Sequence, residues 1–185
     1  MTDPKALEDA VKKVNKLSPE AGETLRAIAD VQGGNLDGAK ARLEGEGAAH
    51  TGNPVSDKWI EDHKRAALDA LKAGDKDAVI KNEIDMFNTQ YSTAALIEMN
   101  KPGFARAKVG VEVSSFAGLK TAGELSDLDT SIKHGDQRGT GQHMQALGER
   151  LKAAVMEVIH TDAPATAPKG SPDNSGKGGD RTPGG

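Results

Sequence analysis

Two stretches of similar pattern, QGGNLDGAKARLE at residues 32–44 and KAGDKDAVIKNEI at residues 72–84, decide the fold class of this chain. Each places Gly, followed by Asn or Asp, between two segments whose apolar residues recur every three or four positions. Gly commonly follows the last residue of a helix, and Asn or Asp commonly precedes the first residue of the next helix. Both stretches are therefore interpreted as turns between helices, and the chain as an all-α protein.

The two turns raise the question of a repeat architecture. Gly34 and Gly74 lie forty residues apart, a spacing within the range of helical-hairpin repeats. GNLDGAKARLE also resembles the inter-helix turn of tetratricopeptide units, but the regular aromatic and Pro positions of that signature are missing. No third copy is recognised in the sequence, whereas stacked repeats need at least about three units to be stable. We therefore interpret the turns as ordinary helical-hairpin chemistry, with true repeats as the alternative.

Apolar periodicity extends the helical interpretation across residues 1–160. The longest stripe runs from Ile80 to Met99. Residues 108–114 alternate in polarity, which alone would indicate a strand, but no second strand is available to pair with it. We predict a helix there as well, within a segment that covers residues 104–133. The expected fold is five to seven helices packed as antiparallel hairpins in a bundle.

Composition limits the classes of function. The chain has no Cys, which excludes disulfides, thiolate metal sites and cysteine nucleophiles. Its formal charge is −4 without a clustered basic segment, so we expect no binding to nucleic acid. No apolar run approaches the ~18–20 residues needed to span a bilayer, and the N-terminus lacks the apolar core of a signal peptide. We expect a cytoplasmic protein or, alternatively, one exported by a route independent of a signal peptide.

Residues 161–185 differ in composition from the rest of the chain. They contain no Leu, Ile, Val, Met or aromatic residue, and Pro and Gly dominate them. Such a segment buries too little apolar area to offset its chain entropy. We predict a helical domain over residues 1–160 and a disordered tail over residues 161–185.

Small residues recur every fourth position in the helix predicted over residues 104–133: Gly110, Ser114, Gly118 and Ala122. A row of small side chains lets another backbone approach closely. Gly inside a helix is costly unless such packing compensates for it. We therefore predict that these residues form an interaction face, which we expect to be a groove within the chain and, as the alternative, an interface with a partner.

A polar segment, KHGDQRGTG at residues 133–141, is predicted to be a loop. A mobile loop with His134, Asp136, Arg138 and His143 nearby has the groups to bind an anion or support acid–base chemistry, although a plain connector is the favoured interpretation. No GxSxG, HExxH or GxGxxG motif occurs, and no His–carboxylate pair has the second pair that a bundle metal site requires. We expect no catalytic residue, no metal and no cofactor.

The first functional hypothesis is a non-enzymatic, α-helical interaction or structural protein. It would act through a helical surface on a protein partner or in a homo-oligomer. One alternative is an exported, bacterial-type effector or assembly component. The second alternative is an enzyme or anion-binding protein that uses the 134–143 segment.

Overall fold

The computed structural model describes residues 3–103 and 106–160, and within these ranges the regular structure is helical, without strands. The eight helices are α1 (Pro4–Asn15), α2 (Pro19–Gln32), α3 (Leu36–Gly45), α4 (Pro54–Ala73), α5 (Lys76–Met99), α6 (Arg106–Ala117), α7 (Leu119–Lys133) and α8 (Gln137–His160). The all-α prediction is confirmed, including the helix over residues 108–114. The predicted number of five to seven helices is too low, and the antiparallel direction of packing stays a prediction. The predicted tail, residues 161–185, lies outside the described residues.

The extra helix arises at Gly118, where the segment predicted as one helix divides into α6 and α7. Gly118 has φ +97°, a conformation that a non-Gly residue in a helix does not adopt. Gly110 and Ser114 therefore lie on α6, and Ala122 lies on α7. A Cβ atom added at Gly110 or Gly118 would meet no described atom within 4 Å, apart from the adjoining backbone. The four residues therefore do not lie on one continuous helix, and the interaction face that they were predicted to form stays a prediction.

The Gly–Asn/Asp turn of the opening stretches occurs three times in the described part of the chain. Its three Gly residues have positive φ angles of 85°, 72° and 67°: Gly34, Gly74 and Gly135. The next residue in each turn donates its N–H to a carbonyl five positions earlier, and its side chain accepts from the N–H three positions later. This is a Gly helix terminus fused to a side-chain N-cap. The third copy, at Gly135-Asp136, was missed because its surroundings were interpreted as a loop.

Each of the three turns joins two helices that pack against each other: α2 with α3, α4 with α5, and α7 with α8. Other helix starts use the same capping chemistry with Pro in the first turn. Asp3, Ser18 and Asn53 cap α1, α2 and α4, respectively. Asn53 Oδ1 accepts from the N–H groups of both Val55 and Ser56, so α4 begins directly after Asn53.

Helix α5 lies at the centre of the packing, in contact with α2, α4, α6, α7 and α8. Its predicted stripe is buried at Ile84, Phe87, Tyr91, Ala95 and Met99. Phe87 and Tyr91 form an aromatic group with Phe116 of α6, with ring centroids 5.6–5.7 Å apart. On its other side, Met86 joins a smaller apolar cluster with Leu43, Ile60 and Ala67. Helix α5 thus contributes side chains to both of these apolar clusters.

Candidate binding groove

Exposed apolar side chains are concentrated at one place on the described surface. Four of the six large apolar residues that are strongly exposed line the same groove, of about 500 Å³: Val55, Trp59, Ile132 and Met144. Their exposed fractions are 80%, 51%, 49% and 59%, respectively. Single exposed apolar residues are ordinary on a protein surface, whereas a group of them around a concavity is typical of a binding site.

Three parts of the fold build this groove. The floor is α5 from Asp85 to Ile97, which corresponds to about 18 Å along the helix axis. The first turns of α4 form one wall and carry Val55 and Trp59. The opposite wall is formed by the end of α7 and the first half of α8, which carry Ile132 and Met144. The groove is therefore an elongated channel that follows the central helix.

Hydrogen bonds fix both walls to the floor. Ser56 Oγ lies 2.9 Å from Thr93 Oγ1, which connects α4 with α5. On the other side, Asn88 Nδ2 donates to the Gly148 carbonyl of α8 at 3.3 Å. These contacts hold the two walls to one helix, so the groove exists without a ligand.

The indole of Trp59 is positioned by a neighbouring ring. Its centroid lies 4.5 Å from that of His63, one turn later on α4. His63 Nδ1 in turn lies 2.9 Å from Asn82 Oδ1 of α5. The Trp59 side chain is thus supported on one face and remains half exposed to solvent.

The groove offers little charge. Its polar lining consists of hydroxyl and amide side chains, with one carboxylate, Asp85, among the lining residues. Asp85 Oδ2 lies 3.5 Å from Lys81 Nζ on the same helix. Such a lining suits an apolar surface that brings a few hydrogen-bonding groups or one cation, and it offers nothing to a polyanion.

The predicted polar loop at residues 133–141 is wrong, because α8 begins at Gln137. His134 ends α7, and Asp136 Oδ1 accepts from Gly139 N–H at 2.9 Å as the cap of α8. Arg138 lies in the exposed first turn of α8, and His143 Nδ1 lies 3.0 Å from Glu124 Oε2 of α7. The four residues therefore belong to a helix–turn–helix connection in which Asp136 and His143 have different partners, and they do not converge on one point.

The His143 contact belongs to a small polar cluster that the sequence did not suggest. Ligand atoms of Glu124, Asp127 and His143 lie within 4.8 Å of one another. Glu124 and Asp127 share a face of α7, and His143 faces them from α8. Sequence patterns did not indicate this cluster, because Glu124 and His143 lie nineteen positions apart, on two helices joined by a turn. The contact between His143 Nδ1 and Glu124 Oε2 accounts for the approach of those two side chains.

Comparison with known proteins identifies no relative of this chain: no protein-family model, no curated protein and no solved structure matches it. Among the described helices, none is both long enough and apolar enough to cross a membrane. The function is therefore argued from the geometry of the groove.

Proposed function

We propose that this chain is a non-enzymatic interaction protein that binds an amphipathic helix of a partner protein in the groove along α5. The observation that carries the proposal is the concentration of Val55, Trp59, Ile132 and Met144 around one channel. A monomer gains nothing from leaving these side chains in water, because each would contribute about 1.5–3 kcal/mol if fully buried. A partner that covers them recovers part of that free energy.

The shape of the channel favours a helix as the occupant. The floor of about 18 Å matches about three turns of an α-helix, which present apolar side chains at positions i, i+3 or i+4, and i+7. Such a helix has satisfied its own backbone hydrogen bonds, so an apolar lining costs it nothing. Trp59 is half exposed and is supported by His63. We expect it to be a hot spot, which contributes much of the binding free energy of such an interface.

The charge distribution defines the partner further. Asp85 lies at one end of the floor, so a Lys or Arg after the apolar positions of the partner helix would meet a carboxylate there. We therefore propose an apolar helix face with one basic residue at an end. The predicted absence of nucleic-acid binding is consistent with this lining and stays a proposal.

The test uses the only Trp of the chain as its reporter. A panel of Trp-free helical peptides of about four turns, with Leu at i, i+3 and i+7 and Lys at either end, is titrated into the full chain. We expect at least one peptide to shift the Trp59 emission to shorter wavelength and to shift NMR signals along α5. Ile132→Asp should weaken that peptide at least about tenfold, the equivalent of about 1.4 kcal/mol.

Val111→Asp is the matched control, because Val111 is 65% exposed on α6 and does not line the groove. Equal binding to the Ile132 and Val111 variants would show that the groove is not the site. Sedimentation velocity tests the alternative that a second copy of this chain occupies the groove. In that case the unliganded protein would form a concentration-dependent dimer that Ile132→Asp abolishes.

A further inference from the structure

Two glutamates occupy positions that are unfavourable for a charged carboxylate. Glu83, on α5, is 0% exposed, and neither of its carboxyl oxygens has a hydrogen-bond partner among the described residues. Glu46, the residue that follows α3, has one buried oxygen, Oε2, that likewise lacks a partner in the described part of the chain. A buried carboxylate without a partner is costly, whereas the neutral acid is tolerated better.

The surrounding charges do not compensate for these two carboxyl groups. The charged groups that act on Glu46 are one cation and three carboxylates: Lys64, Glu20, Glu23 and Glu61. Those that act on Glu83 are two carboxylates: Glu46 and Asp30. Lys64, the cation that acts on Glu46, has other partners as well, because its Nζ bonds Glu61 and the Gly47 carbonyl. Arg42 of α3 bonds Glu23 and Asp30. His63, the titratable ring on α4, is bonded to Asn82.

Both environments favour the protonated acid. Burial, reinforced by the charge of Glu46 and then Asp30, raises the pKa of Glu83 to about 8. Burial also raises the pKa of Glu46 to about 7, although Lys64 opposes the change. Both carboxyl groups therefore keep a proton at a higher pH than an exposed glutamate does.

The two residues differ in their freedom to move. Glu83 lies in the middle of the central helix, whereas Glu46 begins the connector over residues 46–53 that joins α3 to α4. Three contacts hold the connector: Lys64 Nζ to the Gly47 carbonyl at 2.6 Å, Ala49 N–H to Glu61 Oε2 at 2.6 Å, and Thr51 N–H to Asp57 Oδ1 at 2.7 Å. A cavity of about 210 Å³, lined by Glu46, Lys64 and Gln90, separates it from α2 and α5. Ala49 of the connector also packs against the smaller apolar cluster around Ile60, whereas the larger cluster in the described part of the chain includes no residue of 46–53.

We infer that Glu46 is a pH-sensitive latch, which holds the 46–53 connector against α4 while protonated and releases it when ionised. Release brings the Glu46 carboxylate into water, which favours the charged form. Burial of Glu46 Oε2, together with the carboxylates of Glu20, Glu23 and Glu61, makes the docked position unfavourable for that charge. The latch is independent of what the groove binds.

Amide hydrogen exchange of the full chain, measured by NMR between pH 5 and 7, tests this inference. Closing the latch requires a proton on Glu46 that the open form has lost, so opening becomes about tenfold more favourable per pH unit. We expect the protection factor of the Ala49 amide, corrected for intrinsic exchange, to fall by about that amount per unit. The amide of Leu151 in α8, which reports opening of the core, should not follow it.

Three variants make the test specific. Glu46→Gln should remove the pH dependence at Ala49, and Glu44→Gln, an exposed neighbour at the end of α3, should retain it. Glu83→Gln should also retain it, because Glu83 is not the group that moves. A pH-independent Ala49 amide in the unaltered chain would overturn the inference. So would the same slope in Glu46→Gln, or parallel loss of protection at Leu151.

Discussion

At the scale of single residues, ionisation of Glu83 lowers the stability of the folded protein as the pH rises. Its pKa of about 8 in the folded protein lies above the ordinary glutamate value of 4.5, so the folded state retains a proton that the unfolded chain has released. Stability contributed by this proton is therefore present below pH 4.5 and is lost as the pH rises towards 8. The loss comes from burial of a carboxyl group without hydrogen-bond partners.

Replacing Glu83 with Gln should stabilise the protein in alkaline solution. The side chain keeps its shape and loses its charge, so we expect the free energy of unfolding at pH 8 to rise by ~1–3 kcal/mol. Below pH 4.5 the two proteins should be nearly equal. Urea denaturation at both pH values measures the difference, with Glu149→Gln as an exposed control. Equal stability at pH 8 would mean that Glu83 is hydrated in solution.

Asp129 shows the opposite behaviour, because its carboxylate has partners. Asn100 Nδ2, Arg106 Nη2 and Lys133 Nζ lie 3.0, 3.3 and 3.0 Å from its oxygens, which joins the end of α5 to α6 and α7. Burial alone would raise the pKa of Asp129, but the hydrogen bonds from Asn100 and Lys133 outweigh it and hold the pKa below 3.8. Its contribution to stability is present above pH 3.8 and disappears as the pH falls through the lowered value.

We accordingly expect Asp129→Asn to lower the free energy of unfolding at pH 7 by ~1–3 kcal/mol, since it removes a charged acceptor from three donors. The difference between the variant and the unaltered protein should shrink in strongly acidic solution. Chemical denaturation at pH 7 and pH 3 measures both effects. Asp127→Asn, at an exposed position of the same helix, should change little.

At the scale of helices, Gly118, which directly precedes α7, and Gly123, which lies within it, should respond in opposite ways to substitution with Ala. Gly118 has φ +97° at the start of the helix, so Gly118→Ala is expected to destabilise the protein by ~1–2 kcal/mol. Gly123 lies inside α7 with open space around it, so Gly123→Ala should stabilise by ~0.5–1 kcal/mol. The thermal unfolding midpoints of the two variants, compared with that of the unaltered protein, measure both effects. A stabilising Gly118→Ala would mean that α6 and α7 join into one helix.

The third Gly–Asp turn supplies a test of helix capping. Asp136→Ala removes the acceptor for the Gly139 N–H group and should cost ~0.5–2 kcal/mol. Asp136→Asn keeps an acceptor oxygen and should restore most of the stability. Thermal denaturation followed by circular dichroism measures both variants. Equal loss in the two variants would point to the charge of Asp136, and not its capping oxygen, as the source of stability.

At the scale of the whole molecule, the described helices α1 to α8 all lie before residues 161–185, and those residues include no Leu, Ile, Val, Met or aromatic side chain to bury. Removing the segment after Thr161 should therefore leave the thermal midpoint nearly unchanged. Differential scanning calorimetry of the full and shortened chains measures this. A loss of several degrees would mean that the tail docks on the helical domain.

The sequence by itself determined the fold class and most of the helices. Apolar residues at Ile84, Phe87 and Tyr91 have helical spacing, and their burial followed from that spacing. The Gly–Asn/Asp turns are local chemistry, so the first two were recognised from a few adjacent residues. The third was missed because Gly139 and Gly141 favoured a loop, whereas packing of α8 on α7 compensates for their low helix propensity.

Only the tertiary structure decided which exposed residues come together in a candidate binding groove. Trp59 and Met144 were both placed on predicted helices, but their common groove depends on how α4 and α8 pack on α5. The break between α6 and α7 depends on the positive φ angle of Gly118. Glycine permits this angle, but a glycine in the sequence does not have to adopt it. The buried, unpartnered state of Glu83 depends on how the other helices pack on α5. Helical periodicity is a short-range signal, whereas grooves, buried charges and latches arise between elements that are distant in the chain.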